Sequence, residues 1–123
     1  MSLFDTGYFK LASGRESFFK IDCDALTDQD WEAVALMASK ILPCSFGSVE
    51  GIPQGGLKLA EAMKRYLSTS GPVLICDDVW TTGGSMEKVR NGREAIGLVA
   101  FARGPIKPWA YAIFGTCFHL WDK

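Results

Sequence analysis

The stretch VLICDDVWTTGGSM, residues 73–86, runs four apolar residues into two adjacent carboxylates, Asp77 and Asp78, and then into two threonines, two glycines and a serine. Val73-Leu74-Ile75-Cys76 reads as a strand buried on both faces, as the strands of parallel sheets are. The acids then mark the point where the strand surfaces. Beyond them the turn Thr81-Thr82-Gly83-Gly84-Ser85 opens a helix expected over about 85–91 and closed by Asn91-Gly92. Strand, glycine turn and helix in that order aim backbone N–H groups at an anion.

Working outward, residues 95–102 supply the next apolar strand, and an upstream strand is expected over 44–49, followed by a loop Glu50–Gly56 and a helix over about 57–67. A longer helix starts at Thr27. Asp30 stands three residues on as a capping-box partner, and Leu26 and Trp31 are spaced for a hydrophobic staple. Trp31, Val34, Ala35, Ala38, Ile41 and Leu42 follow helical spacing until Pro43 ends the run. Residues 8–22 read as a hairpin about Ser13-Gly14-Arg15-Glu16. The last apolar stretch, 110–120, is separated from the strand before it by only seven residues. A parallel crossover usually takes a dozen or more, so an antiparallel return is expected. The fold class is therefore α/β: a small parallel, Rossmann-like sheet with helices on both faces, an N-terminal hairpin and an antiparallel C-terminal strand, in a single domain spanning 1–123.

A chain of 123 residues can hide roughly two-thirds of its unfolded surface. With 48% hydrophobic residues and a net charge of −1, nothing in it argues for disorder or for a nucleic-acid partner. Cys23, Cys44, Cys76 and Cys117 have neither metal-like nor disulfide-framework spacing and read as reduced thiols. No run approaches 18 apolar residues, and the N-terminus lacks a cationic stretch followed by an apolar one, so no membrane partner and a cytoplasmic location are expected. His119, the only histidine, lies in an apolar stretch and reads as structural. Lys58, Lys64, Arg65, Lys88, Arg90 and Arg93 read as solvated helix faces.

In an open α/β sheet ligands bind beyond the carboxyl ends of the strands, where Asp77-Asp78 and the Glu50–Gly56 loop both belong. Thr81 to Ser85 would cradle a phosphomonoester through amides and hydroxyls. Two adjacent acids repel and need partners, which a vicinal diol and a divalent cation supply. A ribose 5-phosphate meets both needs, and the same carboxylates would stabilise positive charge developing at its C1.

VLICDDVWTTGGS resembles the phosphoribosyl-pyrophosphate motif of the type I phosphoribosyltransferases, most closely their orotate branch. VEGIPQGGLKLAEAM is similar to that family's pyrophosphate-loop segment, and FKLASGRESFFKID to the N-terminal segment that covers the base in orotate enzymes. The resemblance implies Asp77 and Asp78 on the ribose hydroxyls and Thr81, Thr82, Gly83, Gly84 and Ser85 on the 5-phosphate. It implies Glu50, Gly51, Gln54, Gly55 and Gly56 along the pyrophosphate, with Arg15 close to the site; Trp80 stands where the family more often has an aliphatic residue, and would wall the site. It also implies Mg2+ and a homodimer.

The chain departs from the family between the pyrophosphate-loop helix and the acid-pair strand. There the family's strand and lysine-rich loop are replaced by Ser68-Thr69-Ser70-Gly71-Pro72. Ala12 stands where a lysine is usual, and Lys20-Ile21 where aromatic residues pack on the base. Two functions stay open: transfer of ribose 5-phosphate from phosphoribosyl pyrophosphate to an orotate-like base with release of pyrophosphate, or a non-catalytic module that binds phosphoribosyl pyrophosphate or a nucleotide monophosphate.

Overall fold

The computed structural model describes residues 4–10 and 16–115. Arg15, Cys117, His119 and Trp121 lie outside them. The chain opens with β1 (Phe4–Lys10) and β2 (Glu16–Ile21), an antiparallel pair forming a sheet of their own. After a 3-10 turn at Cys23–Ala25 comes α1 (Asp28–Ile41). Its start is the expected capping box: the Thr27 hydroxyl accepts from the Asp30 amide at 3.1 Å, and the Asp30 carboxylate accepts from the Thr27 amide at 2.9 Å. Then follow β3 (Ser48–Gly51), α2 (Leu57–Met63, ending in a 3-10 turn at Lys64–Tyr66), β4 (Val73–Trp80), α3 (Gly84–Arg90), β5 (Ala95–Ala102) and β6 (Ala110–Gly115).

The upstream strand begins at Ser48 rather than at Cys44, because it can pair only where it runs beside β4, and Ser48 is the residue opposite Val73. Glu50 and Gly51 therefore belong to the strand, not to the loop. β4 also outruns expectation: it continues through both acids to Trp80, paired with β5 the whole way.

The main sheet has the order β3-β4-β5-β6 and every pair is parallel. The antiparallel C-terminal strand read from the sequence is thus corrected. Gly97 pairs with Ala110 and Ala102 with Gly115, so the chain need only travel back five residues of β5, roughly 17 Å at ~3.3 Å per residue. Eight extended steps from Ala102 to Ala110 can reach roughly 27 Å, enough for a return without a helix. Ile106 and Trp109 of this connector pack with Met86 and Val89 of α3, so the segment covers the sheet as a crossover helix would. Trp109 is fastened there by an Nε1–H donated to Glu87 at 2.7 Å and by the Arg90 guanidinium 4.6 Å from its ring centre.

Alternation along the buried strands divides the core in two. Leu74, Cys76, Ile96 and Leu98 face α1 and α2, packing on Val34, Ala38, Leu59 and Met63. Val73, Ile75 and Val99 face α3 and the connector. Helices on both faces are as expected. All three crossovers advance the same way across the sheet, but α2 passes over one face while α3 and the connector pass over the other. The β3–α2–β4 crossover consequently has the opposite hand to the other two, and right-handed crossovers are the strong rule.

Trp109→Ala should remove the cover from this part of the sheet and cost about 2–4 kcal/mol in urea unfolding. A variant as stable as the parent would show that the connector does not substitute for a helix.

Candidate functional site

The opposed crossovers shape the site. α2 leaves β3 over one face and α3 leaves β4 over the other, so the loops after these neighbouring strands diverge and open a crevice at their carboxyl ends. The first loop, Ile52–Gly56, is tied to β4: the Ile52 amide donates to the Cys76 carbonyl at 2.9 Å and the Gly56 amide closes on the Ile52 carbonyl at 2.8 Å. Its Pro53–Gln54 peptide is cis. A Cβ on Gly56 would strike the Cys76 carbonyl, and one on Gly55 would strike the Asp78 carboxylate. Only glycines let the loop lie this close to the acid-bearing strand.

The second loop starts at Trp80, which is fully buried and donates its Nε1–H to the Pro105 carbonyl at 3.1 Å. Gly83 sits directly on this indole in the left-handed region, φ +83°, where a Cβ would enter the ring. No side chain caps α3, so its leading amides are left without intrahelical acceptors. Asp77, Trp80 and the run Thr81–Ser85 enclose a cleft of about 180 Å³, below the usual span of whole-ligand pockets and suited to a phosphate-sized group. Trp80 is therefore the floor of this loop as well as core.

The two acids do not share one face. Asp77 lines the phosphate-sized cleft, whereas Asp78 lines a cavity of about 500 Å³ with Gln54, Gly55, Cys23, Trp31 and Lys58. The sequence motif is thus split about the end of β4, one carboxylate to each loop. Each also fixes the backbone: Asp77 accepts from the Asp78 amide and Asp78 from the Val79 amide, both at 2.8 Å. Burial, and then a side-chain hydrogen bond with Asp78, raise the Asp77 carboxyl to about 7. Burial and the Asp78 charge push the Cys23 thiol in the cavity wall up to about 12, which leaves it protonated and unreactive at neutral pH. The Trp31 indole N–H, buried in the same region, has no acceptor.

Of the remaining sequence candidates, Gln54 joins Gly55 and Gly56 along the first loop, and Gly51 ends the strand that leads into it. Glu50 does not project from it freely. Arg93, just past α3, forks onto its carboxylate with bonds of 2.7 and 2.8 Å and lowers its pKa. Sequence reading treated Arg93 as solvated and Lys58 as a helix surface; the structure pairs the first with Glu50 and sets the second in the wall of the Asp78 cavity. Neither contact has a local signal, since each joins residues about 30 or more apart. A larger groove of about 600 Å³ between α1 and α2 is lined by charges already paired, Lys58–Asp28, Lys64–Glu61 and Arg65–Glu32, and includes no residue of either loop.

Among the described residues no three His, Cys, Asp or Glu side chains come together as a metal site. Asp77 and Asp78, half-buried at the end of β4, fit a divalent ion shared with oxygens of a ligand, as Mg2+ is usually held.

No family model matches the chain, and no curated protein matches it in sequence. Solved structures do match it. Orotate phosphoribosyltransferase from Aeropyrum pernix superposes with a TM-score of 0.75 at 21% identity, over 93% of this chain and 88% of that one. The fold is that of the orotate phosphoribosyltransferases. The Mycobacterium tuberculosis H37Rv enzyme in complex with Fe(III) dicitrate gives 0.63 at 19% identity, over 92% and 89% of the two chains. The Francisella tularensis enzyme gives 0.61 at 13% identity, over 92% and 80%. Within this phosphoribosyltransferase fold, the chain passes from the end of α2 to β4 through a connection of only residues 67–72.

Two predictions test the loop and the acid. Gly83→Ala meets both the left-handed backbone and the Trp80 ring and should cost more than about 2 kcal/mol in chemical unfolding. For Asp77, the folded pKa lies above the unfolded value. Between about pH 4 and pH 7 the unfolded chain has therefore lost a proton that the folded one keeps, and stability falls across that window as pH rises. Asp77→Asn removes this fall, so thermal melts should coincide with those of the parent near pH 4 and exceed them by a few degrees at pH 8. Parallel curves at all pH values would remove the acid from this role.

Proposed function

We propose that the protein binds phosphoribosyl pyrophosphate and transfers its ribose 5-phosphate to a nitrogenous base, releasing pyrophosphate. The observation that carries the reading is the phosphate-sized cleft between Asp77 and the uncapped Thr81–Ser85 loop, set beside a second cavity that Asp78 shares with Gln54 and Gly55. The 5-phosphate takes the amides and hydroxyls of Thr81–Ser85. The ribose lies across the end of β4, with its 2- and 3-hydroxyls donating to Asp77 and Asp78. The pyrophosphate extends over Gly51–Gly56. In transfer the bond from C1 to the pyrophosphate oxygen breaks and a bond from C1 to a base nitrogen forms, while the two acids oppose the positive charge that gathers on the ring. Mg2+, bound with the substrate, would neutralise the departing pyrophosphate. A homodimer belongs to the same proposal; Leu36, Met37 and Ile41 leave apolar surface exposed on α1.

The short 67–72 connection favours a second reading, a module that binds phosphoribosyl pyrophosphate or a nucleotide monophosphate without turning it over. Nothing in that connection can fold over the crevice to exclude water from a reacting centre.

Calorimetry with phosphoribosyl pyrophosphate, with and without Mg2+, tests both readings, since both require Mg2+-dependent binding. Replacing Asp77 and Asp78 together by asparagine should weaken that binding at least about tenfold. Pyrophosphate release in the presence of a panel of bases supports transfer, and tight binding without release supports the module. A parent protein that binds neither phosphoribosyl pyrophosphate nor ribose 5-phosphate would remove the site assignment altogether.

A further inference from the structure

The crevice is poor in positive charge. Among the described residues the cleft of Asp77 and Thr81–Ser85 has no cationic side chain, and the Asp78 cavity brings Asp24 as a further carboxylate. A phosphomonoester alone carries about −1.5 to −2 at neutral pH. A diphosphate over Gly51–Gly56 would thus enter a region already acidic. Two arginines near the sheet are committed elsewhere: Arg93 to Glu50, and Arg90 to Glu87 and the Trp109 ring.

Among the described residues, Lys58 is the one basic side chain in the wall of the Asp78 cavity. It is the second residue of α2, where the helix dipole disfavours a cation, so helix stability gives no reason for it. Its partner is Asp28 of α1, at 3.2 Å, in a pair whose side chains are 64% and 90% exposed. Exposed pairs of this kind contribute little and exchange readily. The ammonium is therefore held at the rim of the crevice, next to Gln54 and Gly55, by a contact that an incoming anion can replace.

Building on the proposed function, we infer that Lys58 is the protein's own cation for the diphosphate of the ligand, released from Asp28 when that group arrives. Lys58 then distinguishes phosphoribosyl pyrophosphate from ribose 5-phosphate and is a positioning residue for the leaving group.

The test is calorimetry at fixed ionic strength and Mg2+ with both ligands, on variants shown by circular dichroism to keep the fold. Lys58→Gln should weaken phosphoribosyl pyrophosphate about tenfold while changing ribose 5-phosphate less than about twofold, and Lys58→Arg should restore most of the loss. Asp28→Asn frees the ammonium and removes a negative charge, and should tighten phosphoribosyl pyrophosphate about two- to fivefold. If the parent binds both ligands and Lys58→Gln changes neither, or weakens both equally, the inference falls and the site reading stands. If the parent binds neither ligand, both fall together.

Discussion

One strand carries the whole arrangement. β4 is buried on both faces from Val73 to Cys76 and then, without leaving the sheet, presents two carboxylates in succession. Successive residues of a strand point to opposite faces, so the two acids leave β4 toward opposite sides of the sheet while staying close enough for Asp78 to act on Asp77. Asp77 falls to the α3 side and Asp78 to the α2 side. Each loop of the crevice thereby has its own carboxylate, and the glycines of both loops are where the backbone has to come close: Gly55 to Asp78, Gly56 to the Cys76 carbonyl, Gly83 to the Trp80 ring. Take away the apolar run that buries the strand and neither acid has a fixed place.

The crevice itself follows from the direction in which the chain leaves β3 and β4. Had α2 and α3 crossed on one face, their preceding loops would lie side by side and leave no opening. The crossover through α2 has the opposite hand to the other two, whereas parallel units ordinarily keep to one hand. The connection 67–72, which leads from α2 straight into β4, accounts for it. The family that the sequence resembles implies a further strand there, and without one the chain must step across β3 to its other neighbour in a single move. The shortened connection and the unusual crossover are one feature seen twice.

What was legible in the sequence is what local chemistry dictates. The Thr27–Asp30 capping box, the stop at Pro43, the Asn91-Gly92 ending of α3, with Asn91 at φ 49°, and the span of β5 all follow from residues within a turn of one another. The motif placed both loops at the right ends of the right strands for the same reason. Non-local geometry was not legible. The direction of β6 depended on register with β5, which set how far the connector had to reach. The start of β3 depended on where Val73 lay. The pairing of Arg93 with Glu50 and the placement of Lys58 depended on the two crossovers, and charge spacing along the chain has no means of announcing either.

Electrostatics then sets what such a crevice can bind. With Asp24, Asp77 and Asp78 in its walls, the affinity that the proposed function requires would draw, beside Lys58, on groups whose charge does not appear in the composition: the amides at the start of α3, the hydroxyls of Thr81, Thr82 and Ser85, and a cation that arrives with the ligand. In the unliganded protein, burial and then the hydrogen bond with Asp78 raise the Asp77 carboxyl to about 7, so that its proton is partly retained at neutral pH. A diol or a divalent ion relieves the crowding of these carboxylates. Binding of either should release that proton near neutral pH, because stabilising the ionised form returns the carboxyl toward its ordinary range. Under the proposed function the acids would thus favour an anion that brings hydroxyls and a metal with it over a bare one.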